Sequence, residues 1–218
     1  MDLKGLKINV LGDSITFGHG TSDPRYVFWN LLNTEDGACA RGYGISGTRI
    51  ARQQTPSAGY PEFDQYFRTR VASMDPDADV VLVLGGTNDY GHGDAPLGRM
   101  SDRTDDTFYG AVHNLCVDLI NRYPESVIAF MTPTHRADEH RAVNEWGVRN
   151  VGCLEDYVNI IQEVAGYYSL PVIDLYRTSG LQPEVEVLRR KYVPDGLHPN
   201  DAGNRRIYFK IREFLLSL

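Results

Sequence analysis

Apolar positions along the chain follow two alternating rhythms. Short runs that are apolar on both faces occupy residues 7–11, 79–84, 127–131 and 171–175, with a weaker candidate at 38–41. A strand buried in the middle of a parallel sheet has this pattern, because both of its faces are covered. Between the runs lie segments with helical spacing. Asp23 followed by Pro24 reads as an N-cap with proline at the first helical position, leading into Val27, Phe28, Leu31 and Leu32 and closed by Gly37. Further helices are predicted over 62–74, over 104–122 with Phe108, Val112, Leu115 and Leu119 on one side, and within 144–163. A last helix, capped by Asn200, carries Ile207, Ile211, Phe214, Leu215 and Leu218.

Strands separated by helices of this length imply right-handed βαβ crossovers and a parallel sheet covered on both sides. The expectation is an α/β fold of three layers, α/β/α, with a flavodoxin-like five-stranded parallel sheet of order 2-1-3-4-5. At 218 residues the chain is long enough for one substantial core and short for two, so a single domain spanning 1–218 is expected. Three long loops, at 48–61, 90–103 and 132–143, each follow the carboxyl end of a strand, where ligands bind in such sheets.

Composition narrows the picture by exclusion. With 42% hydrophobic and 23% charged residues, the chain has the make-up of a globular protein. Its net charge of −7 argues against a general polyanion binder, so no nucleic-acid partner is expected. No stretch approaches the ~18 apolar residues of a membrane span. Residues 1–10 lack the apolar core of a secretory signal. Neither a membrane partner nor a location outside the cytoplasm is therefore expected, and nothing in the sequence specifies an oligomeric state. The three cysteines, Cys39, Cys116 and Cys153, have no metal-type spacing, and their odd number argues against a disulfide framework. Cys116 falls on the apolar side of the 104–122 helix and reads as a core side chain.

Four polar blocks mark the strand ends. Gly12-Asp13-Ser14 ends the first strand, Gly44-Ile45-Ser46-Gly47 follows the second, and Gly85-Gly86-Thr87-Asn88-Asp89 ends the third. Asp195-Gly196-Leu197-His198-Pro199 follows the fifth, just before the last helix. A serine hydroxyl is a poor nucleophile at neutral pH; it needs an imidazole to take its proton and a carboxylate to fix the imidazole tautomer. Ser14, His198 and Asp195 supply these three parts. Acyl transfer also needs donors for the oxyanion, and the Ser14 N–H, the Gly47 N–H and the Asn88 side-chain amide are candidates. Glycine at 47 lets the backbone approach a substrate, and an asparagine amide donates at every pH.

These blocks resemble those of the SGNH hydrolase superfamily, the GDSL-type esterases and lipases. Gly12-Asp13-Ser14 matches the family's nucleophile block and Gly47 its oxyanion glycine. Gly86-Thr87-Asn88-Asp89 matches its Gly-x-Asn-Asp block, and Asp195-Gly196-Leu197-His198 its Asp-x-x-His block, all in the family's order. One departure is Arg41-Gly42, where the family often carries an asparagine ahead of the second-block glycine. The resemblance implies the three-layer fold and a serine esterase that works through an acyl-enzyme, with neither metal nor cofactor. The same residues would serve O-acyl transfer to another hydroxyl, and a catalytically silent module would keep only the pocket.

Asp13, Arg49, Tyr90, His92 and His135 are the substrate-pocket candidates. With Arg52, Tyr60, Arg103 and Arg136 in the same loops, they favour a small-molecule ester that is polar, short-chain or a carbohydrate acetate, over a long-chain lipid. Competing motifs are weak. Gly42-Tyr43-Gly44-Ile45-Ser46-Gly47 matches a dinucleotide fingerprint, but no clean helix follows to hold a pyrophosphate. His135 and Glu139-His140 lack the spacing of a zinc-hydrolase helix, so His135, His140, His19 and His92 are expected as exposed loop histidines. Asp174 is expected as a structural cap.

Overall fold

The computed structural model describes residues 2–143 and 152–218. In chain order its elements are β1 (Lys7–Gly12), α1 (Ser14–Phe17), α2 (Phe28–Asp36), β2 (Cys39–Gly44), β3 (Val80–Leu84), α3 (Thr87–His92) and α4 (Phe108–Arg122). There follow β4 (Val127–Met131), α5 (Leu154–Tyr167), β5 (Val172–Ile173), α6 (Leu175–Thr178), α7 (Glu186–Tyr192) and α8 (Asp201–Ser217). All strand pairs are parallel, in the order β2-β1-β3-β4-β5 anticipated from the alternation of runs.

Strand side chains alternate between faces, and two cores result. Ile8, Val10, Leu82, Ala129 and Met131 pack with Phe28, Leu32, Ile207 and Ile211 under α2 and α8. Leu11, Val81, Val83 and Phe130 pack on the other face with Phe108, Val112, Leu115, Val158 and Ile161 of α4 and α5. Both faces are thus buried, which makes the sheet the middle of three layers. It also explains why β3 is apolar at every position and buried throughout. Cys116 is buried in the second core, and Cys39, Cys116 and Cys153 are free. Among the described residues no helix is long and apolar enough to cross a membrane.

Several boundaries differ from expectation. Asp23 does cap a helical turn, accepting from Arg25 N, but that turn is a short 3₁₀ segment at Pro24–Tyr26, and α2 starts at Phe28. The 62–74 region is not an α-helix. It forms two 3₁₀ segments, Pro61–Asp64 and Phe67–Ser73, pinned by Phe67 N on Arg49 O and by the Arg70 side chain on strand-end carbonyls. β2 runs on through Gly42 to Gly44, paired with β1 as far as Gly12, and the Trp29 ring lies against Gly42 where a side chain would otherwise stand. β5 is two residues long. α3, α6 and α7 were not anticipated, being too short to show a 3.6-residue period. The first part of the 144–163 helix expectation lies outside the described residues, and α5 covers the rest.

Candidate active site

The first polar block forms a tight strand-to-helix turn. Asp13 caps α1, its carboxylate accepting Ile15 N at 3.0 Å, so Ser14 stands at the first helical position. The turn leaves no space for a side chain at Gly12 or at Gly44 beside it. A Cβ on Gly12 would lie 2.6 Å from Thr16 Cβ, and one on Gly44 would lie 2.8 Å from Asp13 O, so β2 closes directly against the turn. Gly18 in the left-handed region ends α1 after one turn.

Ser14 Oγ lies 3.0 Å from His198 Nε2, a contact across 184 residues of sequence. His198 Nδ1 lies 2.7 Å from Asp195 Oδ2. Asp195 Oδ1 accepts Leu197 N at 2.9 Å and His198 N at 2.7 Å, so both carboxylate oxygens brace the loop. Burial opposes the Asp195 charge, but the His198 ring and the two N–H donors outweigh it and hold this carboxyl well below the usual range. The loop is anchored at both sides. Asn200 caps α8 through Gly203 N at 3.1 Å, and Gly196 O accepts Ala137 N at 2.7 Å. With Nδ1–H given to Asp195, the Nε2 lone pair faces the serine hydroxyl and can take its proton.

Gly47 sits at the third position of a turn closed by Thr48 N on Ile45 O, with φ at +74°. That position needs a positive φ, which glycine adopts without a Cβ penalty. Asn88, in the first turn of α3, donates Nδ2 to Thr48 O at 3.0 Å and leaves its second amide hydrogen for another acceptor. Asp89 accepts Ile50 N and Ala51 N, both at 2.9 Å, so α3 holds the chain that leaves Gly47 at Thr48, Ile50 and Ala51. Burial pushes Asp89 up to about 6 despite these two donors, and it pushes Asp13 up to about 6 against the Ile15 N–H and the His198 and Arg70 charges.

The pocket candidates have varied placements. Arg49 is buried and donates to Ser57 Oγ and Asp64 Oδ1, each at 2.7 Å, with His92 Nδ1 at 3.2 Å. Burial lowers its pKa, while Asp89 and Asp64 partly restore it. Tyr90 is buried, its hydroxyl donating to Asp138 O and accepting Arg141 N. His92, expected as an exposed loop residue, is instead buried at the end of α3, where Arg49 and the Phe63 ring of the preceding loop lie against it. His135 is mostly buried against Tyr176, with Nδ1 2.9 Å from both oxygens of the buried Glu139. Glu139 is buried too, its carboxylate also accepting the Tyr176 hydroxyl at 3.3 Å. Arg136 is buried and donates to Thr87 O, whereas Arg52 pairs with Asp106 at the surface and Arg103 bonds Met100 O. Asp174 caps α6.

Sequence reasoning gave no role to His19. Its exposed ring lies 4.3 Å from the His198 ring, and its N–H donates to Ser14 O at 2.9 Å. Proximity in sequence to Ser14 was the only signal. Among the described residues no group of three His, Cys, Asp or Glu side chains is placed to hold a metal ion.

A family model described as GDSL-like lipase/acylhydrolase matches residues 10–206. A solved crystal structure 32% identical superposes with a TM-score of 0.84, covering 100% of this chain and 99% of the other. A protein from Lactobacillus plantarum, 30% identical, gives 0.81 and covers 98% of each chain. A possible lipase from Chitinophaga pinensis, 21% identical, gives 0.68 over 97% of this chain and 98% of its own, and shares the fold. No curated protein sequence matches the chain.

Proposed function

The chain belongs to the GDSL-like lipase/acylhydrolase family and is an ester-hydrolysing serine hydrolase, and from that premise we propose that it works through an acyl-enzyme on Ser14. The observation that carries this reading is the unbroken line of hydrogen bonds from Ser14 Oγ through the His198 ring to Asp195. In this scheme Ser14 Oγ attacks the ester carbonyl as His198 Nε2 takes its proton, and Asp195 steadies the imidazolium. The tetrahedral oxyanion is met by the Ser14 N–H, the Gly47 N–H and the free hydrogen of Asn88 Nδ2. Collapse expels the alcohol, which leaves with the proton from His198. Water then enters, gives a proton to His198 and releases the acid by the same steps.

Ser14→Ala is expected to lower kcat by about 10⁴- to 10⁶-fold, as removal of a nucleophile does in other triads. A fluorophosphonate should label the wild type and leave Ser14→Ala unlabelled. Wild-type ester hydrolysis by Ser14→Ala would end the scheme.

The substrate we propose is a short-chain carboxylic ester or an acetylated sugar. The polar character of the 90–103 and 132–143 loops supports this, although Arg49, Tyr90 and Arg136 use their polar groups inside the fold. A chain-length series of nitrophenyl esters run beside acetylated sugars tests it, and an optimum at long acyl chains would overturn it.

A further inference from the structure

Arg70 lies in the 3₁₀ segment between β2 and β3 and is 7% exposed. Its guanidinium reaches three places at once. Nη1 and Nη2 both donate to Gly12 O at 3.1 Å, two residues before Ser14. Nη1 also donates to Tyr43 O at 2.8 Å, near the end of β2. Nη2 donates to Thr48 Oγ1 at 3.1 Å, one residue after Gly47. The Thr48 hydroxyl in turn donates to Ile45 O at 2.7 Å, closing the Gly47 turn. The Phe67 ring lies 4.7 Å from the guanidinium carbon and holds its plane from one side.

Among the described residues no carboxylate hydrogen-bonds this cation. The charge acting on it is that of Asp13, and burial pushes Arg70 down to about 10, so it stays protonated at neutral pH. A buried cation without a bonded counterion is costly, and strand-end carbonyls can be satisfied by water or a neutral amide. A guanidinium adds two things that those partners lack. Its planar fork fixes several acceptors in one geometry, and its positive charge lies at the end of β1, on the carbonyl two residues before Ser14.

We propose that Arg70 is a positioning residue for acyl transfer, tying the end of β1 to the Gly47 turn so that the Ser14 and Gly47 N–H groups converge on one oxyanion. This rests on the acyl-enzyme reading above. Its effect is exerted through the two donors, which would separate if the clamp were lost.

The test compares wild type, Arg70→Lys, Arg70→Met and Thr48→Val, counting competent sites by complete fluorophosphonate labelling. Turnover of nitrophenyl acetate is then expressed per labelled site. Arg70→Met should lose about 10- to 100-fold in kcat per site with KM within about threefold of wild type, the scale of a small misplacement of reacting groups. Arg70→Lys, which keeps the charge without the fork, should fall between the two. A merely structural arginine would lower the number of labelled sites and the melting temperature while leaving kcat per site unchanged, and that result would overturn the proposal. A loss confined to KM would overturn it too. Should Arg70→Met not fold, Arg70→Lys and Thr48→Val decide: wild-type kcat per site in both refutes the clamp. Absence of labelling in the wild type would instead strike the Ser14 reading itself.

Discussion

Replacing Gly47 with alanine strains the turn in two ways that can be sized from the structure. Gly47 has φ at +74°, and an L residue held in the left-handed region costs about 1–2 kcal/mol. The new Cβ would also lie 2.6 Å from Phe63 Cζ and nearer still to Cε1 and Cδ1. Phe63 has little freedom to give way. Its ring stacks on Tyr60 with centroids 4.9 Å apart and lies 5.3 Å from His92, and its carbonyl accepts Arg49 Nη2. Overpacking of this kind costs about 1–3 kcal/mol, so about 2–5 kcal/mol of strain falls on one turn. The turn can relieve it by rotating, which carries the Gly47 N–H away from the oxyanion. Loss of one such donor costs about 10²- to 10³-fold in kcat.

Two assays separate the effects. Steady-state hydrolysis of nitrophenyl acetate reads the donor, and urea unfolding reads the strain. Gly47→Ala should show both losses. Adding Phe63→Ala should recover part of the stability by opening space, while the φ strain and the slow turnover remain. Wild-type kcat together with an unchanged unfolding midpoint in Gly47→Ala would refute both the oxyanion assignment of Gly47 and the packing argument.

Three further outcomes are expected. Asn88→Ala should lower kcat by about 10²- to 10³-fold with little change in KM, and near-wild-type turnover would remove Asn88 from the oxyanion site. Asp13 and Asp89 are raised by burial from 3.8 to about 6, so the folded state binds more protons than the unfolded chain between those values. Stability should therefore rise by about 1 kcal/mol per group as pH falls from about 7 to about 5. His113, lowered mainly by burial, opposes this in the same window, whereas Asp195, held low, loses its contribution only in stronger acid. Comparing urea midpoints of wild type and Asp13→Asn across that window isolates Asp13, and parallel curves would contradict its raised pKa. Asn200→Ala removes the cap that accepts Gly203 N and should cost about 1 kcal/mol in unfolding free energy, with an unchanged midpoint refuting the cap.

Features set by neighbours in sequence were legible without coordinates. The all-apolar run of β3 announced a central strand, Asn200 announced the start of α8, and the alternation of runs and helices yielded the sheet order. Where the prediction stopped short, a distant contact outweighed the local preference. The 67–73 segment has helical spacing, yet its turns follow the pull of Arg49 O and the strand-end carbonyls on Phe67 and Arg70. The polar loop residues show the same limit. Arg49, Tyr90 and His92 look alike to sequence reasoning whether they face a substrate or the interior, because burial depends on which loops stack over them.

The order of the polar blocks, their places at strand ends and the chemistry their side chains could perform were determined by the sequence alone. Each depends on residue identity and on a period of two or 3.6 along the chain. Only the tertiary structure decided that Ser14 and His198 meet at 3.0 Å, that Asp89 and Asn88 hold the Gly47 loop, and that Arg70 bridges β1, β2 and that loop. Such contacts join residues from about 20 to more than 180 positions apart. No local pattern encodes them; they follow from strand pairing and from the packing of both faces of the sheet.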